Sequence, residues 1–200
     1  MKLCFSPTSP YVRKVRACAI TREIDGQIEL VPTDANASLP EFVAINPLSK
    51  VPALLTDDGV AMFDSPVICE YLDSVGDALP MFPAHGAARW RALRFQAMGD
   101  GILDASVPRR GELQKPQDAG RAAWIARQEA AVNRTLDALE ADPPHRASDI
   151  GSIAVACALG YLDFRFAAQP WRPGRPKLAA WFDEFARQPA IARTVPKDGG

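Results

Sequence analysis

The chain has 200 residues, of which 48% are apolar and 24% charged, a composition typical of a soluble globular protein rather than a disordered one. Its formal net charge of −1 argues against a dedicated nucleic-acid-binding protein. Its four cysteines and two histidines show no zinc-binding spacing and no disulfide framework. We therefore expect a metal-free cytoplasmic protein without a signal peptide or a membrane span.

Charge is distributed unevenly along the chain. Residues 1–78 carry 6 basic and 11 acidic side chains, a net charge of −5, whereas residues 79–200 carry 17 basic and 13 acidic ones, a net charge of +4. This asymmetry suggests two domains. The positive half could attract a small anionic ligand, but we favour the simpler interpretation that the two halves attract each other.

The first part of the chain alternates strand and helix signals. The first helix has Ser9 as its N-cap and Pro10 in its first turn. A turn at Asp57-Asp58-Gly59 predicts a hairpin between two short strands. The predicted strands span 2–5, 27–32, 51–56 and 60–63, and the predicted helices span 10–22, 39–45 and 64–76. This order indicates an α/β domain with a mixed four-stranded sheet over residues 1–77.

Only helix signals follow a predicted linker at 77–86. The predicted helices span 87–112, 118–141, 149–166 and 177–187, which makes residues 87–200 an all-α bundle domain. The first of them carries Trp90 on its apolar side. The third is apolar on nearly every side, which predicts a helix in the middle of the bundle. Asp149 is its candidate N-cap, with Ser152 answering it as in a capping box.

Four stretches together resemble the glutathione transferases. They are SPTSPYVRKVR at 6–16, NPLSKVPAL at 46–54, FDSPVICEYL at 63–72 and the helix that begins at Asp149. The resemblance lies in their order and spacing and covers nearly the whole chain. It implies a thioredoxin-like glutathione-binding domain and a helical domain. It further implies glutathione as co-substrate, a small electrophile as second substrate, no metal and a role in detoxification.

Ser9 is the candidate catalytic residue. A hydroxyl at the head of a helix lies beside unpaired backbone amides and the positive end of the helix dipole, where it can donate a hydrogen bond to a thiolate. The resemblance to serine-type members gives this part to Ser9, with Thr8 as the competitor and a plain N-cap as the alternative. Because position 9 is serine and not cysteine, it cannot form a mixed disulfide with glutathione.

The resemblance assigns the remaining glutathione contacts to two segments. Val51 would pair its backbone with the cysteinyl backbone of glutathione beside a cis Pro52, and Lys50 would pair with the glycine carboxylate. Ser65 would take the γ-glutamyl carboxylate, and Asp64, where most relatives have glutamate, would take or support the amine. The alternatives are an ordinary trans turn proline, a solvated lysine and two helix-capping residues.

The resemblance also implies a second-substrate site between the domains and a homodimer. By position, the second-substrate residues are Tyr11, Asp104, Val107 and Tyr161. Arg94 and Asp100 lie on the helix that lines the two-fold axis in the family, where Asp100 could reach the glutathione amine of the partner subunit.

The function that follows is the transfer of glutathione to an electrophile. Two alternatives remain. One is a non-catalytic glutathione- or protein-binding module, because fold does not fix function. The other is a glutathione-dependent isomerase, although such relatives usually carry a Ser-Ser-Cys run that Thr8-Ser9-Pro10 lacks.

Overall fold

The computed structural model describes residues 1–75 and 78–197 and contains an α/β part followed by a helical part. The strands are β1 (Lys2–Phe5), β2 (Glu29–Pro32), β3 (Ala53–Leu55) and β4 (Ala61–Met62). The helices are α1 (Pro10–Thr21), α2 (Pro40–Ile45), α3 (Ser65–Asp73), α4 (Gly86–Leu113), α5 (Ala119–Ala141), α6 (Ile150–Arg165), α7 (Pro176–Phe185) and α8 (Pro189–Ala192).

The sheet is four-stranded and mixed, as predicted, with the order β2-β1-β3-β4. β1 pairs with β2 in parallel and with β3 antiparallel, and β3 pairs with β4 antiparallel. β3 is shorter than predicted because it begins only after Pro52, which has no amide to donate to a ladder. β2 begins two residues later than predicted, because Asp25–Gln27 forms a 3₁₀ turn.

The turn between β3 and β4 has the predicted hairpin geometry. Gly59 has a φ of +85°, a conformation that glycine adopts without steric cost. The Thr56 amide donates to the Val60 carbonyl at 3.0 Å, and the Gly59 amide donates to the Thr56 carbonyl at 3.1 Å. These bonds fix the register of the hairpin and therefore the point from which the chain enters α3.

The helical part is organised around the close approach of α4 and α6. A Cβ atom at Gly99 of α4 would lie 2.6 Å from the Ala154 carbonyl carbon, and one at Gly151 of α6 would lie 2.5 Å from the Ala92 carbonyl oxygen. The two backbones are therefore in contact. α6 is buried from Ile150 through Leu159, as its all-round apolar sequence predicts.

Two predictions for the helical part need correction. Asp149 caps α6 as predicted by accepting from the Ser152 amide at 2.8 Å, but the Ser152 hydroxyl donates to the His145 carbonyl at 3.0 Å instead of completing a capping box. Trp90 does not face the core, since 69% of it is exposed. The buried face of α4 instead includes Phe95, Ile102 and Leu103 together with small residues such as Ala92 and Gly99.

The two parts pack together along α1, which contacts α6 and α8. The described part of the predicted linker is anchored rather than free, because the amides of Met81 and Phe82 donate to the Asp73 carboxylate at 2.7 and 3.1 Å. The predicted domain boundary at residue 77 lies outside the described residues, as does the end of the second predicted domain. Within 1–75 and 78–197, no helix is both long and apolar enough to span a membrane.

Candidate active site

The sheet register brings three candidate segments to one edge. Cys4 of β1 pairs with Ala53 of β3, and Leu54 pairs with Met62 of β4. The carboxyl ends of β1 and β4 and the amino end of β3 therefore lie side by side. One candidate segment adjoins each of these ends: Ser9 after β1, Val51–Pro52 before β3 and Asp64–Ser65 after β4.

Ser9 caps α1 as predicted. Its Oγ accepts a hydrogen bond from the Val12 amide at 3.3 Å, and its own amide donates to the Ser6 carbonyl at 3.2 Å. The residue is half-buried. Because the bond to Val12 uses a lone pair, the hydroxyl proton remains available to a ligand. Thr8, the competing residue, is also half-buried but precedes the cap.

The loop before β3 is held by a residue that the sequence did not single out. Asn46 is almost fully buried, and its side chain donates to the Lys50 carbonyl at 2.7 Å and accepts from the Leu48 amide at 3.0 Å. The Val51–Pro52 peptide bond is cis, which confirms that prediction. The Lys50 side chain is exposed, and Val51 is half-buried. The Asn-Pro pair at 46–47 was the available signal for Asn46.

Asp64 and Ser65 occupy the start of α3. Asp64 holds the N-cap position, but its side chain makes no capping hydrogen bond, and it is exposed. Ser65 is 2% exposed, and its hydroxyl has no hydrogen-bond partner within residues 1–75 and 78–197. The capping alternative therefore fails for the Asp64 side chain. The Asp64 carboxylate and the Ser65 hydroxyl are therefore both available to a ligand at the start of α3. The backbone amides of this helix start favour an anion, and the Asp64 carboxylate favours a cation.

Tyr11 and Asp104 are joined across the two parts of the molecule. The Tyr11 hydroxyl donates to Asp104 Oδ1 at 2.6 Å, and Tyr11 lies only two residues after Ser9. Burial first, and then the Asp104 carboxylate, hold the pKa of the Tyr11 phenol far above its usual value, so the phenol remains a donor. Asp104 is exposed and has no cationic partner in the part of the chain that the structure describes.

The other two second-substrate candidates, Val107 and Tyr161, both pack against the hydrophobic core. Val107 is half-buried and packs against the core. Tyr161 is only 5% exposed, and its ring meets Phe166 edge-on with 6.4 Å between ring centroids. Burial raises the pKa of Tyr161. Tyr161 is therefore mainly a packing residue and offers little open contact surface.

Asp100 is engaged within its own chain, which sequence reasoning missed. Lys14 Nζ donates to both Asp100 carboxylate oxygens, at 2.6 and 2.7 Å, and the Lys14 side chain is fully buried. Burial would lower the pKa of Lys14, but the Asp100 carboxylate outweighs it and the pKa is raised. This pair leaves Asp100 little capacity for a ligand amine. Arg94 likewise pairs with Asp142 of the same chain, at 2.7 Å.

The chain's own thiols are far from reactive. All four cysteines are free and buried. Burial raises the pKa of Cys157 to about 11 and also raises that of Cys18. Buried thiols with a raised pKa are poor nucleophiles. Within the described residues there is no cluster of three or more His, Cys, Asp or Glu side chains that could hold a metal ion.

Comparison with known proteins agrees with this geometry. Residues 8–75 match the glutathione S-transferase N-terminal domain, and residues 122–184 match the C-terminal domain of the same family. The chain is 35% identical to the uncharacterized GST-like protein YibF of Escherichia coli K12, with 98% of both chains covered. These matches show that the chain belongs to the glutathione S-transferase family. The arrangement of the Ser9 hydroxyl, the cis-proline loop and the α3 N-terminus at one sheet edge is consistent with them.

Two crystal structures of a glutathione transferase family member from Pseudomonas fluorescens Pf-5 are also similar. One, with bound glutathione, has a TM-score of 0.91 at 38% identity and covers 98% of each chain. The other, with bound S-(propanoic acid)-glutathione, has a TM-score of 0.86 at 39% identity and covers 98% of this chain and 100% of that one.

Proposed function

We propose that this protein is a cytoplasmic glutathione transferase that joins the glutathione thiolate to a small electrophile. The convergence of Ser9, Val51–Pro52 and Asp64–Ser65 at one sheet edge carries this proposal. A relative that is 38% identical binds glutathione, and its second structure holds a glutathione conjugate, which supports the same ligand here.

The three segments fit the three parts of a tripeptide. The Ser65 hydroxyl and the α3 amides take the γ-glutamyl carboxylate, and the exposed Asp64 carboxylate takes the amine. The Val51 backbone pairs with the cysteinyl unit in the manner of an added strand. Lys50 meets the glycine carboxylate at the solvent-facing end. This orientation directs the cysteinyl thiol toward Ser9.

Ser9 activates the thiol by stabilising its charged form. The Ser9 hydroxyl donates its free proton to the sulfur, beside the positive end of α1. Lowering a thiol pKa by about two units corresponds to roughly 2.7 kcal/mol of selective stabilisation. The thiol proton passes to solvent, the sulfur bonds to the electrophilic carbon, and the leaving group departs with its electron pair.

The electrophile lies between the two parts of the molecule. Tyr11 and Asp104 form one side of this space through their hydrogen bond, and Val107 and Tyr161 form its apolar floor. Holding the electrophile against a fixed thiolate lowers the entropic part of the barrier.

We also propose a homodimer. Val67 of α3 is 50% exposed and Trp90 of α4 is 69% exposed, and the Arg89–Glu70 ion pair, at 2.9 Å, connects the same two helices. A second copy could cover these apolar residues while the oppositely charged parts of two chains meet twice.

Turnover with an aryl halide tests the proposed function. The protein, glutathione and 1-chloro-2,4-dinitrobenzene should give the conjugate above the uncatalysed rate, while calorimetry in the absence of the halide measures glutathione binding. Binding without turnover on a panel of aryl halides, epoxides and enones would reject the transferase and leave the binding module and the isomerase. The absence of glutathione binding would reject both interpretations.

A further inference from the structure

A cavity of about 210 Å³ lies beside the C-terminal half of α1, where the helix crosses β1 and β2. Its apolar lining residues are Leu3, Ala19, Ile20, Ile28 and Leu30, and its polar ones are Arg16, Asp25 and Arg193. None of these lining residues is among the candidate active-site residues. The cavity is therefore separate from the candidate active site.

Side chains of β1, of β2 and of the segment that leads into β2 form the apolar floor of the cavity, and the cavity volume limits the ligand. Leu3 lies directly opposite Leu30 in the β1–β2 register, and Ile28 precedes Leu30 by two residues on the same face. Leu3 is fully buried, whereas Leu30 is 37% exposed at the edge strand. An apolar cavity of about 150 Å³ holds a benzene molecule. By that measure, a cavity of about 210 Å³ accommodates an apolar body of roughly eight carbons.

The polar side of the cavity has an excess positive charge. Arg193 pairs with Asp25 at 2.6 Å, so these two charges compensate each other. Arg16 is half-buried and makes no ion pair or hydrogen bond to any residue in the described ranges. Its guanidinium nitrogens are not buried without a partner, so its donors are available to an anion that reaches the cavity. The unpaired Arg16 beside an apolar floor is therefore complementary to an anion with an apolar tail.

We propose that this cavity binds a small monocarboxylate with an aliphatic chain of about eight carbons. The chain lies on Ile20, Ile28 and Leu30, and the carboxylate accepts two parallel hydrogen bonds from Arg16. The Arg193–Asp25 pair borders the mouth and holds the segment after α8 against the cavity. Binding here does not depend on the proposed transferase activity.

Methyl-labelled NMR with octanoate tests this site. Octanoate should shift the methyl signals of Ile20, Ile28 and Leu30, whereas 1-octanol should bind at least fivefold more weakly and octylamine should cause no shift there. The shifts should persist in saturating glutathione. Octanol binding as tightly as octanoate would remove the role of the carboxylate. Displacement of octanoate by glutathione would assign the binding to the candidate active site and overturn the proposal.

Substitution of Arg16 tests the charge. Arg16→Met keeps the aliphatic stem and should weaken octanoate binding about tenfold, whereas Arg16→Lys keeps the charge but loses the two parallel hydrogen bonds and should weaken binding by only about threefold. Arg127→Met removes an exposed arginine on α5 and should leave octanoate affinity unchanged. Thermal unfolding of each variant establishes that it is folded. Wild-type affinity in a folded Arg16→Met variant would overturn the proposal.

Discussion

The Ser9 hydroxyl accepts one hydrogen bond from its own helix and keeps its proton, so it can cap the helix and donate to a ligand at the same time. A cap needs only the oxygen, since the donor is the Val12 amide. Thiol activation needs the proton. The two roles can therefore be separated by comparing stability with the ionisation of bound glutathione.

Ser9→Ala should lower kcat with the aryl halide by about a hundredfold and raise the pKa of bound glutathione by about two units, because the donor to the thiolate is lost. Thr8→Ala, one residue earlier, is the matched control and should change both by less than about threefold. Thiolate absorbance against pH gives the pKa, and stopped-flow or steady-state turnover gives the rate. Loss of both properties only in Thr8→Ala would transfer the role to Thr8.

Asp104 should disfavour electrophiles that carry a negative charge. Its exposed carboxylate accepts from Tyr11, which follows Ser9 by two residues, and is not neutralised by a cation in the described part of the chain. Two unit charges roughly 8 Å apart in water interact by about 0.5 kcal/mol, and by more in a partly desolvated cleft. Asp104→Asn keeps the acceptor for Tyr11 and removes only the charge.

The measurement is the ratio of kcat/KM for 4-chloro-3,5-dinitrobenzoate to kcat/KM for 1-chloro-2,4-dinitrobenzene. Asp104→Asn should raise this ratio about two- to threefold, as the loss of that charge repulsion requires. Tyr11→Phe removes the hydrogen bond but keeps the charge, and should not raise the ratio. Glu184→Gln, on α7, should leave it unchanged. An equal rise in Tyr11→Phe would indicate a packing effect.

At the level of the elements, the contact between α4 and α6 depends on glycine. Gly99 and Gly101 both lie in α4 but face different environments. A Cβ at Gly99 would lie 2.6 Å from the Ala154 carbonyl carbon, whereas a Cβ at Gly101 would meet no atom within 4 Å. A methyl group therefore separates the two helices at one position and is tolerated at the other.

Gly99→Ala should lower the free energy of unfolding by about 2 kcal/mol or more, because two backbones must move apart. Gly101→Ala should raise it by about 0.5–1 kcal/mol, because alanine is the better helix former. Urea unfolding followed by circular dichroism measures both. Equal effects of the two substitutions would contradict the backbone contact between α4 and α6.

For the whole molecule, the proposed dimer gives the clearest expectation. Sedimentation at micromolar concentration should give about twice the 21.7 kDa chain mass, and high salt should shift the population toward monomer. Trp90→Glu should also favour monomer, since it puts a charge into the proposed interface. Val195→Glu, at an exposed apolar residue near the end of the described chain, is the control. A monomer at all concentrations would reject the dimer.

The sequence by itself determined the local features of this protein. The order of strands and helices, the Ser9 cap and the Asp57-Asp58-Gly59 turn were all predicted, because each depends on residues within a few positions of one another. The family resemblance predicted the candidate glutathione contacts, and the sheet register explains why they lie at the same edge. Helix α8 was missed, because four residues carry no periodic signal.

Only the tertiary structure decided how the two parts of the molecule meet. The Lys14–Asp100 pair joins residues 86 positions apart, and the Tyr11–Asp104 hydrogen bond joins residues 93 positions apart. Nothing in the local sequence distinguishes a lysine that will be fully buried from one that remains in water. The same holds for Gly99, which is set apart from Gly101 only by the backbone of another helix. Such contacts depend on which faces are brought together, and that is fixed by packing rather than by propensity.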